Sequence, residues 1–271
     1  MDRDLPLSRR AEASRLAHLA LLREPPQPKM KVLVIDIGGC NVKLMATHHL
    51  EQRRFESGPT LTPKRLVSQV RKTVSDWQYD VISIGYPGKV HENRPISEPR
   101  NLGRGWKGFN FETAFKAPVK VLNDAAMQAL GSYKGGKMLF LGLGTGLGSA
   151  IVLGGVAQPM ELGHLPYKKG TFENYVGARA LEKYGRKEWR RHVKDVVERL
   201  IDALTPEDVV LGGGNARKLK RLPNGCRAGD NFYAFLGGFR LWIGPQVVTG
   251  KSRQAVRNGR SIRRQTTLRR D

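Results

Sequence analysis

The run VLVIDIGGCNVKLMAT, residues 32–47, places apolar and β-branched positions ahead of one carboxylate, Asp36, and then turns on Gly38 and Gly39. A carboxylate at the end of a buried strand is desolvated at a cost unless a cation or donors meet it. The glycines that follow leave backbone N–H groups open to an anion, so the group suits a metal-bound phosphate. A plain hairpin turn, with Asp36 satisfied by its own backbone, is the alternative reading of these residues alone. Two more glycine turns end apolar runs, GLGTGLGS at 142–149 and LGGGNA at 211–216. Glycine permits positive φ and close backbone approach, so three such turns can hold two phosphates and a nucleoside from different sides.

The elements that must position these turns alternate along the chain. KVLVIDIG, VKLMATHH and EQRRFES read as three successive strands of an antiparallel meander. TPKRLVSQVRKTVSDW follows as a helix, with Leu66, Val70, Val74 and Trp77 at spacings of three and four. DVISIGYPG and APVKVLND read as buried strands, and AAMQALGSY as the helix opened by the second. KMLFLGLGTGLGSAIVLGG then repeats the strand, glycine turn and strand about 105 residues after the first, which predicts two similar α/β halves with a ligand cleft between them. RKEWRRHVKDVVERLIDAL reads as an amphipathic helix, DVVLGGGNARKLK as a strand running through glycines into a helix, and NFYAFLGGFRLW as an apolar closing helix. The expected division is an extension over 1–29, a small domain over 30–124 with helix 231–242 packing back on it, a larger domain over 125–230, and a tail over 243–271.

Composition limits the function classes. The chain of 271 residues carries a formal charge of +23, of which +2 falls in residues 1–30, +14 in 31–242 and +7 in 243–271. Such a field favours anionic partners of any kind. Cys40 and Cys226 are the two cysteines, too few for a disulfide framework or a cysteine zinc site. With no membrane-length apolar run and no secretory signal pattern, the cytoplasm is the expected location. PPQP before Met30 reads as a linker, and Met30 as a possible natural start. GKSRQAVRNGRSIRRQTTLRR is basic and without apolar period, so disorder is expected there, with a nucleic-acid-binding tail as the alternative.

Seven ordered motifs between about 31 and 242 resemble the ROK sugar kinases and regulators of the actin-like ATPase and hexokinase superfamily. DIGGCNVK is similar to that family's first phosphate motif, GYPGKV to its sugar-side loop, and NLGRGW with VLNDAAMQALG to its sugar-binding loop and catalytic segment. GLGTGLGSAIVLGG resembles the second phosphate motif, ELGHLP the Glu-x-Gly-His signature and LGGGNA the adenosine motif. The resemblance implies two ribonuclease H-like α/β domains around a cleft. Two departures stand out: Cys40 replaces a usual Thr, and LPYKKGTFENYVG replaces a cysteine-rich zinc loop, of which Phe172 and Glu173 match the last Leu-Glu pair. No structural zinc is therefore expected. This zinc-less form is similar to the polyphosphate glucokinase branch, which implies a kinase acting on the 6-hydroxyl of glucose or a related hexose with polyphosphate or ATP as donor.

A hydroxyl is a weak nucleophile near neutral pH, so such a kinase needs a carboxylate base. Asp124 is the candidate, at a strand end that opens a helix whose N-terminus is expected to keep it ionised; an ordinary N-cap is the plain alternative. The resemblance assigns the sugar to Asn101, Asn123, Asp124, Glu161, His164 and Glu173. It assigns phosphate and nucleotide to Asp36, Gly38, Gly39, Lys43, Gly144, Thr145, Gly146, Gly213 and Gly214, with Asp36 orienting Mg²⁺ through water. Lys134, Lys137, Lys168, Lys169, Arg217, Lys218, Lys220 and Arg221 lie near predicted cleft loops, where a polyanionic donor would need them or where they are ordinary solvated charges. Related repressors carry a winged helix-turn-helix, for which 29 residues are too few, so sequence-specific DNA binding is not expected. An ATP-only hexose or N-acetylhexosamine kinase, a non-catalytic sugar- or polyanion-binding protein, and a homodimer stay open.

Overall fold

The computed structural model describes residues 30–243, so the expectations for residues 1–29 and for the basic tail beyond Ile243 lie outside the described residues. The first sheet is built from β1 (Val32–Ile37), β2 (Asn41–Ala46), β3 (His49–Glu56), β4 (Val81–Tyr86) and, after a small hairpin of β5 (Val90–His91) and β6 (Arg94–Pro95), β7 (Val119–Asn123). Its order is β3-β2-β1-β4-β7, the first three strands antiparallel and the last three parallel. Strands β1 and β4 are buried along their whole length, the pattern of a sheet covered on both faces.

One face is covered by α1 (Pro63–Thr73) and α2 (Phe111–Phe115). Thr62 caps α1 by accepting from the Arg65 amide, Pro63 opens its first turn, and Leu66, Val67 and Val70 face the sheet. Leu33, Ile35, Ile84, Trp106 and Phe111 fill the layer between.

Helix α3 (Asp124–Ser132) leads from β7 to the second sheet, made of β8 (Lys137–Leu143), β9 (Leu147–Leu153), β10 (Val156–Met160), and, beyond a hairpin of β11 (Pro166–Tyr167) and β12 (Gly170–Thr171), β13 (Asp208–Gly212) and β14 (Cys226–Ala228). The order β10-β9-β8-β13-β14 repeats that of the first sheet strand for strand. The repeat anticipated from the two strand, turn and strand units thus extends to whole sheets. Helices α4 (Phe172–Val176) and α5 (Ala178–Leu204) cover the outer face, with Trp189, Val193, Val196, Val197 and Leu200 on its core. The sequence reading began this helix at Arg186. Gly185, whose φ of 70° and ψ of 169° leave the helical region, breaks α5 just before that point, so the stretch from Arg186 is a helix of its own and a shorter helical stretch from Ala178 precedes it. The expected helix after Gly214 is a single 3₁₀ turn, Ala216–Lys218, since Leu219 resumes extended backbone.

The last helix, α6 (Tyr233–Ile243), crosses α3 at a contact made of glycines. A Cβ on Gly131 would collide with the Tyr233 carbonyl, and one on Gly237 with the Met127 carbonyl. Phe232, Phe235 and Phe239 then reach Val32, Val34 and Val81 on the back of the first sheet. Arg240 donates to the carbonyls of Leu130, Gly131 and Tyr133, closing the C-terminal end of α3. In an ordinary helix interior, alanine is about 1 kcal/mol better than glycine. Here Gly237→Ala is expected to destabilise by about 2 kcal/mol, because the backbones must separate; urea unfolding that shows equal or greater stability would refute the close packing.

Candidate active site

The parallel register brings two acids, Asp36 buried and Asp124 partly buried, to one edge of the first sheet. Asp36 on β1 pairs with Gly85 on β4, Gly85 pairs with Leu122 on β7, and Asp124 follows two residues later. Adjacent strands lie about 4.8 Å apart, so the two aspartates stand across a single intervening strand. That strand carries Gly85, where a Cβ would collide with the Met127 methyl and lie 3.5 Å from Asp36 Oδ1. Asp36 is 7% exposed. Lys43, its cross-strand partner on β2, holds Nζ 3.6 Å from Asp36 Oδ2.

Burial pushes the Asp36 carboxyl above the usual carboxylate range, while the Lys43 ammonium pulls it back. Asp124 is pushed up to about 7, first by burial, then by the Asp36 charge and, further down, by Glu161. Its bond from the Ala125 amide to Oδ1, 2.8 Å, acts in the opposite direction. The expectation that the helix N-terminus keeps Asp124 fully ionised is therefore corrected. Desolvation and a like charge outweigh the dipole of one short helix, and a carboxyl titrating near 7 suits a general base. The neighbouring Asn123 is the N-cap, accepting from the Ala126 amide at 3.1 Å and donating from Nδ2 to the Gly88 carbonyl at 3.1 Å. Its side chain ties the Gly-Tyr-Pro-Gly turn to the strand end, a positioning task beside the sugar contact expected of it.

The three glycine turns are each locked. Gly38 N–H reaches the Asn41 carbonyl at 3.0 Å and Ser57 Oγ donates to the Gly38 carbonyl at 2.7 Å. Around Thr145, the Ala178 amide at the start of α5 donates to the Gly144 and Thr145 carbonyls. Asn215 joins the third turn to the second, donating Nδ2 to the Gly144 carbonyl at 3.0 Å and its amide to Leu143 at 2.9 Å. Gly213 adopts φ +80° against Leu143, where any side chain would meet backbone. The turns at Gly144, Thr145 and Gly146 and at Gly213 and Gly214 are thus bonded to each other, while Gly38 and Gly39 connect β1 to β2 of the first sheet.

The residues assigned to the sugar bridge the two sides. The Asn101 amide lies 3.4 Å from where a Cβ would stand on Gly39. Next to it, Arg100 reaches Glu173 on α4, Nη1 to Oε1 3.3 Å. Glu173 in turn occupies the space left by Gly146, where a Cβ would strike its carboxylate. Glu161 and His164 flank a 3₁₀ turn, Leu162–His164, with Oε2 and Nδ1 3.7 Å apart and both side chains about half exposed. Ser149 holds that turn from below, accepting from the Leu162 amide and donating to the Met160 carbonyl.

A buried aromatic cluster anchors the segment after His164. Tyr167 donates to Asp195 Oδ2 at 2.6 Å, and its oxygen lies 3.1 Å from His192 Nδ1, so the hydroxyl's single proton is committed and the imidazole donates. Tyr175 and Tyr184 stack at 5.7 Å with His192 against Tyr175. Desolvation, aided by Lys168, lowers the His192 pKa and keeps the ring neutral.

Asp36 offers Mg²⁺ a hard oxygen donor with one cation beside it, and among the described residues no group of three or more His, Cys, Asp or Glu forms a cage. This suits a metal that keeps most of its water and takes its remaining ligands from phosphate. Of the eight basic residues proposed as a polyanion track, Lys169 lines the cavity of about 660 Å³ that opens beside Thr145, Asn101 and Glu173. The other basic residues lining it, Arg100, Arg179 and Lys183, were not singled out. The spacing of four between Arg179 and Lys183, just after the second-sheet hairpin, was the available signal.

Residues 32–194 match the ROK family. The polyphosphate glucokinase of Mycobacterium leprae is 27% identical over 209 residues, covering 69% of this chain and 64% of that protein. The chain therefore spans somewhat less than two thirds of that relative's length. Among solved structures, the inorganic polyphosphate/ATP-glucomannokinase from Arthrobacter sp. strain KM is similar with a TM-score of 0.67 and 24% identity, over 77% of this chain and 96% of that one. The ROK family glucokinase from Streptomyces griseus, solved with glucose and AMPPNP, has a TM-score of 0.62 and 16% identity, over 76% and 97%. With its paired sheets, locked glycine turns and matched span of more than half its length, this chain belongs to the ROK family and resembles its polyphosphate glucokinases.

Proposed function

We propose that the protein is a hexose kinase that transfers a phosphoryl group from polyphosphate or ATP to the 6-hydroxyl of glucose or a related hexose. The observation that carries this reading is the pair of acids at one sheet edge, with Asp124 pushed up to about 7 first by desolvation and then by the Asp36 charge. Asn101, Glu161, His164 and Glu173 supply donors and acceptors for sugar hydroxyls, fixed from both sides of the cleft. Asp124 accepts the hydroxyl proton as the sugar oxygen bonds to phosphorus and the bridging P–O bond breaks. The leaving group is ADP or a polyphosphate one unit shorter. When bound near Asp36, Mg²⁺ would neutralise charge on the donor phosphates. Amides of the glycine turns other than those of Gly38 and Gly144, which bond within the fold, bind the phosphate oxygens, and the Lys43 ammonium counters part of the rise that burial imposes on Asp36.

Three outcomes follow from the titration of Asp124. Asp124→Asn should lower kcat by about 10²- to 10⁴-fold with a much smaller change in sugar affinity; near-normal turnover removes it as the base. In the unsubstituted enzyme kcat/KM should rise with pH through about 7 and level above it, since the base must be ionised. Asp36→Asn should raise the Mg²⁺ concentration needed for half-maximal rate and move that rise to lower pH, because one neighbouring charge is gone; an unmoved profile would show that Asp36 does not act on Asp124.

Stability gives a check that needs no substrate. The folded pKa of Asp124 lies above its unfolded value near 3.8, so the folded state loses relative stability as pH climbs from about 4 to about 7 and stays at the lower level beyond. Metal-free Asp124→Asn protein should accordingly match the parent near pH 4 and exceed its Tm at pH 8. A Tm difference that is flat from pH 4 to 8 would contradict the burial assigned to this carboxyl.

A further inference from the structure

Four cations from three separate segments converge on the cavity beside Thr145: Arg100 from the loop ahead of Asn101, Lys169 from the turn between β11 and β12, and Arg179 with Lys183 on the first stretch of α5. Glu173 is the one acidic side chain in the lining, and Arg100 pairs with it. Among the described residues Lys169, Arg179 and Lys183 pair with no carboxylate, although Lys183 lies over the Tyr184 ring at 4.9 Å. The segments are held firmly. The Tyr167 and His192 network fixes the hairpin, and the Ala178 amide ties the start of α5 to Thr145. Spacing of four places Arg179 and Lys183 on one helix face, and the helix N-terminus adds positive potential of its own. Like charges gathered on rigid elements repel one another, and a bound polyanion relieves that repulsion.

Gly213 and Gly214, which border the expected nucleoside position, do not line this cavity. Its walls are cations, small polar groups and the edges of Tyr175 and Tyr184. Resting on the kinase reading above, we infer that this cavity holds the inorganic polyphosphate chain beyond the phosphoryl group being transferred, and that Lys169, Arg179 and Lys183 set the preference for a long donor over a nucleoside triphosphate. The reacting end lies at Thr145 and the glycine turn, while the remaining chain extends along α5 toward Lys183. A triphosphate brings only three phosphates to these cations, whereas a long chain brings many more.

The test is charge reversal in the full-length protein, Lys169→Glu and, separately, Arg179→Glu with Lys183→Glu, assayed with hexose, Mg²⁺ and either long-chain polyphosphate or ATP. The ratio of kcat/KM for polyphosphate to that for ATP should fall by about tenfold or more in the double variant, and the polyphosphate KM should become less sensitive to salt. Equal loss with both donors, or no change with either, overturns the inference, as does a parent enzyme that uses ATP and never polyphosphate. If the parent phosphorylates no sugar with either donor, the kinase reading fails by itself. Binding of fluorescently labelled long-chain polyphosphate then decides the cavity: weaker, less salt-sensitive binding by the double variant supports it, and identical binding refutes it. Circular dichroism of each variant separates these outcomes from misfolding.

Discussion

Two carboxylates set across one strand, Asp36 buried and Asp124 partly so, impose the constraint around which the rest of the protein is arranged. The Asp36 charge adds to burial in raising the proton affinity of Asp124 only because β1, β4 and β7 are parallel and in register, so their ends arrive at one edge. Keeping such acids close is unfavourable in the ligand-free fold. The surrounding packing supplies the stability that holds them there. Lys43 offsets part of the cost at Asp36, and the Ala125 amide part of that at Asp124. What remains is a carboxyl, Asp124, pushed up to about 7.

The rigid support behind that edge is the crossing of α3 and α6. Glycines at 131 and 237 let the two backbones touch, so the helix that begins with Asp124 is clamped along its length. The same α6 packs on β1 and β4, and Ser83 Oγ donates to the Gly238 carbonyl at 2.6 Å. The helix that opens with Asp124 is thereby joined to the sheet that carries Asp36. A change of angle between α3 and the first sheet would move one aspartate relative to the other, and this packing resists it.

On the opposite wall, the cluster of Tyr167, Tyr175, Tyr184 and His192 does with aromatic packing and committed hydrogen bonds what a short irregular segment cannot do alone. It fixes the hairpin and α4, and through α4 places Glu173 against Gly146 and within reach of Arg100. The ion pair of Arg100 and Glu173 is the direct link between the two sides of the cleft. Its largely exposed arginine makes it a weak tether in free energy.

Much of this was legible in the residues themselves. Apolar runs ending in glycine marked β1, β8 and β13, and the repeat of the strand, turn and strand unit gave two matching halves, because a strand covered on both faces must be apolar throughout. The glycine turns and the aspartates carry chemistry at fixed local positions, so their candidacy needed no coordinates. Short elements such as β5, β6 and α2 escaped, having too few residues for a period, as did the short helical stretch between Ala178 and the break at Gly185. Only the tertiary structure decided that Asp36 faces Asp124 and that the latter is protonated more readily than a helix N-terminus alone would allow. It alone collected Arg100, Lys169, Arg179 and Lys183 around one cavity. Local patterns encode which backbone shape a segment takes, whereas burial and the field at a side chain are set by groups distant in sequence that only folding brings near.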